Sequence, residues 1–177
     1  PQVRKLVVQC TPEEASRTEW FQKARLPEGG VIFPWTDLPR EEYEGLKQSQ
    51  AERPWIPQIL EPWSCGEHVD AVSSVGLRLQ GDVAGWVLTH RVAPLLVRYT
   101  SCFVREDLQG QGALFPLLVA SITAIMGTGA TCTFVTSNQF PRMVRWTQRR
   151  LAPFITYCGE TRGVTKALAA ADSREGA

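Results

Sequence analysis

Histidine is nearly missing from this chain, with two in 177 residues, and methionine (two) and tyrosine (three) are almost as rare. So few imidazoles make a histidine-built metal site improbable. The five cysteines (Cys10, Cys65, Cys102, Cys132 and Cys158) are odd in number, widely spread and without a C-x-x-C pair. That excludes a disulfide framework and a structural zinc site, and points to a reducing, cytoplasmic setting. No self-similarity at fixed period accompanies the 12 prolines and 14 glycines, which excludes collagen and solenoid arrays. The chain opens without a basic-then-apolar leader, so secretion is not expected. Charge is missing altogether between Asp107 and Arg142. The apolar part of that run, Ala113 to Met126, is about 14 residues long and is stopped by Gly127 and Gly129. A membrane-spanning helix needs roughly 20 residues, so a helix buried on all sides is expected instead, with no membrane partner.

What remains is an ordinary globular composition, 44% apolar and 21% charged. The length fits a single domain, taken here as residues 1–171, with 172–177 as a flexible tail. A net charge of +1 conceals an asymmetry. Residues 1–82 carry 9 Lys/Arg against 13 Asp/Glu, whereas residues 83–171 carry 9 against 3. Eight of the latter nine are arginines, and a planar guanidinium suits phosphate or carboxylate recognition.

Local patterns give an α/β (α+β) chain with a mixed, mostly antiparallel central sheet flanked by helices. Val3 to Gln9 reads as a strand. Thr11-Pro-Glu-Glu14 is a capping box that should start a helix from Pro12 to about Arg25. Val31 to Phe33 is a short extended piece, and Thr36 or Asp37 is expected to cap a helix from about Pro39 to Ala51. Prolines break residues 53–70, where Trp55 and Trp63 supply apolar area for a core lid or for the wall of a substrate pocket. Val75–Gln80 and Val83–His90 form a hairpin, and Leu95–Val104 and Thr131–Thr136 are further strands. Pro141 opens a helix running to about Arg150. Phe154–Tyr157 and Gly163–Leu168 are expected closing strands.

The informative segment lies between a strand and the neutral helix: Gln109-Gly110-Gln111-Gly112-Ala113-Leu114. Glycines allow a tight turn and a close ligand approach, and the helix start offers unsatisfied N–H groups to an anion. No Lys-Ser/Thr follows, so this is not a P-loop, and Phe115 stands where a dinucleotide fingerprint needs its third glycine.

Val104-Arg-Glu-Asp-Leu-Gln-Gly-Gln-Gly-Ala-Leu114 resembles the acetyl-CoA-binding signature of the GNAT superfamily of N-acetyltransferases. Val104, Gln109 and Gly112 fall at matching steps, while Leu114 replaces the last small residue. Thr133-Phe-Val-Thr-Ser-Asn138, the Arg-rich helix and Leu151-Ala-Pro-Phe154 resemble the segments that follow in that family, with Pro153 where glycine is usual. The resemblance covers roughly residues 75–168, the CoA-binding part, and leaves 1–74 as the acceptor side.

The resemblance implies a GNAT-like sheet in which strands 97–104 and 131–136 run parallel and splay around the pantetheine arm of acetyl-CoA (coenzyme A). Main-chain groups of Phe103 and Val104 would contact the arm. The amides of Gln109, Gly110, Gln111, Gly112, Ala113 and Leu114 would hold the pyrophosphate, with Asn138 and Arg142 also at the cofactor. An acetyl group would pass to an amine of a small molecule or peptide. Tyr99 and Ser101, alternating on one strand, are the candidate catalytic pair, although no carboxylate occurs in residues 95–104. His90 is a candidate base or a structural strand-end residue. Arg142, Arg145 and Arg149 share a helical face that meets the cofactor 3′-phosphate, an acidic acceptor or only solvent. A catalytically silent acyl-CoA-binding module is the alternative, a homodimer stays open, and the small net charge argues against a nucleic-acid partner.

Overall fold

The computed structural model describes residues 2–66, 68–151 and 154–164. Strand β1 (Gln2–Cys10) leads into the capping box, in which Thr11 Oγ1 accepts from the Glu14 N–H at 3.2 Å and the Glu14 carboxylate accepts from the Thr11 N–H at 3.4 Å. The expected single helix is two: α1 (Pro12–Ser16) and α2 (Glu19–Lys23). Thr18 makes the break. Its hydroxyl donates to the Ala15 carbonyl at 2.7 Å and accepts from the Phe21 N–H at 3.3 Å, so one side chain ends a helix and caps the next.

Strand β2 (Gly30–Pro34) is followed by α3 (Arg40–Glu52). Neither expected cap operates, because Thr36 and Asp37 lie in a short 3₁₀ turn; Pro39, with φ preset at −57°, starts the helix without a side-chain bond. Beyond α3 the proline-broken segment forms two 3₁₀ turns, Gln58–Leu60 and Pro62–Cys65. The hairpin of β3 (Val75–Leu79) and β4 (Asp82–Ala93) turns through Gln80 and Gly81, both at positive φ, as a right-twisted hairpin requires. β5 (Leu96–Val104), α4 (Leu114–Ala124), β6 (Thr131–Ser137), α5 (Pro141–Trp146) and β7 (Tyr157–Val164) complete the described chain.

These strands form one seven-stranded sheet in the order β2-β3-β4-β5-β6-β1-β7. Every pairing is antiparallel except β5 with β6. In place of the two closing strands expected at 154–157 and 163–168, the described residues form one edge strand, β7, which spans Tyr157–Val164 and pairs along β1. Positions 165–168 and 172–177 lie outside the described residues.

Two apolar clusters form the core. In one, Leu117, Leu118 and Ile122 of α4 and Trp20 of α2 pack with Val97, Tyr99 and Phe134. The other gathers Trp35, Leu46, Ile56, Trp86, Leu88 and Phe103 beneath α3 and the proline-broken segment. Helix α4 is not buried on all sides as its composition implied: Thr123 and Ala124 are exposed and Val119 is half-buried. Trp86 anchors the second cluster, 4.9 Å from Phe103 and 5.8 Å from Trp35 between ring centroids. Its indole N–H donates to Ser101 Oγ at 2.9 Å, and Ser101 donates to the Leu60 carbonyl at 2.7 Å. The segment carrying Trp55 and Trp63 is therefore a lid bonded to β5. Among its residues only Leu60 reaches the cleft described next.

Candidate functional site

The parallel pair is short. Its register runs from Leu96↔Thr131 to Tyr99↔Phe134 and then stops. Beyond that point β5 remains paired with β4 as far as Gly85↔Val104, while β6 remains paired with β1 as far as Lys5↔Ser137. Each strand follows its own antiparallel neighbour, so the two diverge. A bulge helps. Leu88 pairs with Ser101 and Thr89 with Tyr99, leaving Thr100 as an extra residue that bends β5.

A cavity of about 520 Å³ fills the divergence. Its inner wall is apolar, made by Leu60, Phe103, Leu118 and Phe134, and its mouth is the bend of residues 109–114. Gly110 and Gly112 sit at φ +80° and +81°, a region that a Cβ disfavours. In this bend the Gln109 N–H donates to the Glu106 carbonyl at 3.1 Å and the Gln111 N–H to Leu108 at 3.4 Å. The N–H groups of Gly110, Gly112, Ala113 and Leu114 have no acceptor among the described residues. Four free donors at a helix start, where the dipole adds partial positive charge, make an anion cradle.

Strand polarity decides which main-chain groups face the gap. The Arg105 N–H donates to the Ala84 carbonyl of β4 at 2.8 Å. By the twofold alternation of a strand, Phe103 also turns its main chain toward β4, whereas Cys102 and Val104 turn theirs toward the gap. The Phe103 main chain is thus not where the sequence placed it, although its ring lines the cavity. Gly85 permits the close approach, since a Cβ there would stand 2.7 Å from the Phe103 oxygen. The Val104 carbonyl is already bonded, accepting from Gln109 Nε2 at 3.0 Å.

The expected Tyr99–Ser101 face does not exist, because the Thr100 bulge puts the two on opposite sides of the sheet. The Tyr99 hydroxyl lies buried near Ser121 Oγ (3.2 Å) and Cys132 Sγ (3.8 Å), and burial raises its pKa well above the usual range. Ser101 is fixed by Trp86 and the lid. Neither lines the cavity. Arg142 does, with Gln109, Gly110, Gly112, Ala113 and Leu114. Gln111 lies on the outer side of the bend, its amide donating to the Asp107 carbonyl at 2.6 Å. Asn138 is held by β1, its N–H donating to the Arg4 carbonyl at 2.9 Å, and does not line the cavity.

Leu60, Phe115, Met143 and Trp146 also line it, and none of them was among the expected site residues. Their aromatic and apolar character looked like ordinary core, and only the divergence of two distant strands makes it a wall. The ionisable side chains of the lining are Cys102 and Arg142. Burial, with Cys65 nearby, pushes the Cys102 thiol up to about 12. His90 stands apart, its Nδ1 2.8 Å from Thr100 Oγ1; burial first, then Arg98, holds its pKa below the ordinary imidazole value.

No family model and no curated protein matches this chain. Solved structures do. One is a protein of Novosphingobium aromaticivorans assigned to the acetyltransferases of the GNAT family, with 17% identity, TM-score 0.54, and coverage of 92% of this chain and 63% of that one. A second is a GCN5-related N-acetyltransferase-like protein of Streptococcus suis, with 13% identity, TM-score 0.50, and coverage of 92% and 61%. A third, a conserved protein of unknown function from Staphylococcus epidermidis, has 9% identity, TM-score 0.52, and coverage of 92% and 60%. The chain thus spans about three-fifths of the length of these structures. At such identities the likeness is one of fold, and the fold is GNAT-like. No helix of the described residues is long and apolar enough to cross a membrane.

Proposed function

We propose that the chain is an acyl-CoA-dependent N-acyltransferase that takes acetyl-CoA and acylates an amine of a small molecule or peptide. The observation that carries this reading is the pairing of an anion cradle with a strand gap: four free amides stand at the mouth of a cavity opened by two diverging parallel strands. The amides of Gly110, Gly112, Ala113 and Leu114 bind the diphosphate. Main-chain groups of Cys102 and Val104 offer hydrogen bonds to an extended arm, as a neighbouring strand would. The walls of Phe103, Leu118 and Phe134 exclude water from the reacting end. Bound acyl-CoA supplies an activated thioester.

Among the described residues, the lining provides no carboxylate or imidazole to take a proton from the amine. The chain's contribution is then orientation, which by itself can account for a large part of an acceleration. The acceptor reacts as the neutral amine, and the rate rises with pH up to the pKa of that amine. The odd number and wide spread of the five cysteines fit a reducing, cytoplasmic setting.

Calorimetric titration with acetyl-CoA, followed by thiol release across a panel of amines, tests the reading. Saturable binding with amine-dependent release is expected. No binding at millimolar cofactor rejects it, and binding without release for any amine converts it to the silent acyl-CoA-binding module.

A further inference from the structure

The main cavity draws its lining from both faces of the sheet. Val104, Leu118 and Phe134 belong to the apolar cluster under α4, whereas Phe103 belongs to the cluster under α3 and the lid, against which Leu60 packs. Successive residues of a strand point to opposite faces, so Phe103 and Val104 flank the open margin of β5 on its two sides. The anion cradle stands at the start of α4, on the first face. Leu60 stands on the second, and among the described residues that precede β3 it alone reaches the cavity. A ligand whose diphosphate sits in the cradle therefore passes between the diverging strands and ends against Leu60 and Phe103.

Leu60 is pinned through its main chain. Its N–H donates to the Pro57 carbonyl at 2.7 Å, and its carbonyl accepts from Ser101 Oγ at 2.7 Å and from the Trp86 indole N–H at 3.3 Å. Both donors to that carbonyl are buried. Pro57 and Pro62 stiffen the chain on either side. Behind this point the rings close ranks: Trp55 lies 6.4 Å from Trp86 and 5.7 Å from Phe103 between centroids. A residue held in this way cannot swing aside for a longer ligand without breaking its bonds to β4 and β5.

An apolar channel without a stop favours long acyl chains, since each methylene that finds an apolar seat adds about fourfold in affinity. A fixed side chain across its end reverses that preference, because a longer hydrocarbon must then enter space already filled. We propose that Leu60 is the specificity-determining residue for the acyl group: it closes the lid-side end of the cavity and restricts the chain to short acyl-CoA thioesters. Ser101, which bonds the Leu60 carbonyl, is a positioning residue for this stop. The inference rests on the acyl-CoA reading of the main cavity and adds to it what limits the acyl chain.

Calorimetry with acetyl-CoA, butyryl-CoA and hexanoyl-CoA, on the intact chain, Leu60→Ala and Leu60→Met, separates the two ideas. Both substitutions keep the main-chain bonds of position 60, and thermal unfolding checks the fold of each variant. The intact chain should bind hexanoyl-CoA at least about tenfold more weakly than acetyl-CoA. Leu60→Ala should strengthen hexanoyl-CoA by about tenfold or more and leave acetyl-CoA within about threefold. Leu60→Met, close in volume but flexible, should relax the limit in part, with butyryl-CoA gaining before hexanoyl-CoA. Hexanoyl-CoA binding the intact chain as tightly as acetyl-CoA overturns the inference and leaves the acyl-CoA reading standing. So do folded variants in which all three ligands weaken alike, the mark of a merely structural residue. Failure of all three to bind the intact chain rejects the underlying reading as well.

Discussion

The side-chain amide of Gln109 donates to the carbonyl oxygen of Val104 at 3.0 Å, closing the turn from strand β5 onto the anion cradle. Val104 is buried, and Gln109 follows it by five residues. The bond therefore links the end of the diverging strand to the four free amides and sets the angle between them.

Gln109→Ala removes that link and leaves a buried carbonyl seeking a partner. Such a loss costs about 1–3 kcal/mol. Cofactor affinity should fall about three- to tenfold while the fold persists, as calorimetry and circular dichroism would report. Unchanged affinity would show that the bend keeps its shape without Gln109.

Gly85→Ala acts from the neighbouring strand. A methyl group there would meet the Phe103 oxygen at 2.7 Å and Val104 Cγ1 at 2.9 Å, both belonging to the β5 end that walls the cavity. Relief requires β5 to move. Overpacking of this kind typically costs about 1–3 kcal/mol, so thermal unfolding should shift down by several degrees and cofactor binding should weaken with it. An unshifted unfolding temperature would contradict the close approach.

Alkaline stability tests the Cys102 environment. Burial, with Cys65 adjacent, lifts the thiol from its ordinary 9.0 to about 12 in the folded chain. Between these values the unfolded chain has lost the proton and the folded chain has kept it. Stability is therefore fully present below pH 9 and declines as pH rises toward 12. Denaturant unfolding at a series of pH values should show this decline, and Cys102→Ala should make it shallower. At pH 8 iodoacetamide should label exposed Cys158 well before Cys102, since the thiolate is the reactive form. Equal labelling would refute the protonated thiol.

Local order was legible wherever neighbouring residues supply both halves of an interaction. The Thr11–Glu14 box, the β3–β4 hairpin (its turn one residue earlier than the expected Gly81-Asp82), and the glycines at 110 and 112 are each complete within a few residues. The same short range explains the errors. Thr18 read as one more residue of a long helix, because a hydroxyl that stops a helix differs little in sequence from one that rides along it. Tyr99 and Ser101 read as a shared face because strict alternation was assumed, whereas Thr100 bulges once β5 must follow β4 and leave β6. The spacing put Arg142, Arg145 and Arg149 on one face and said nothing of Arg150, because the π turn over Thr147–Leu151 is not written in it.

The sequence by itself determined a strand–glycine bend–helix unit with exposed amides, since backbone conformations open to glycine and a helix start suffice for it. Only the tertiary structure decided that this bend faces an apolar gap. The gap arises because β6 bonds to β1, more than 120 residues away in the chain, and a pairing at that separation leaves no local signal.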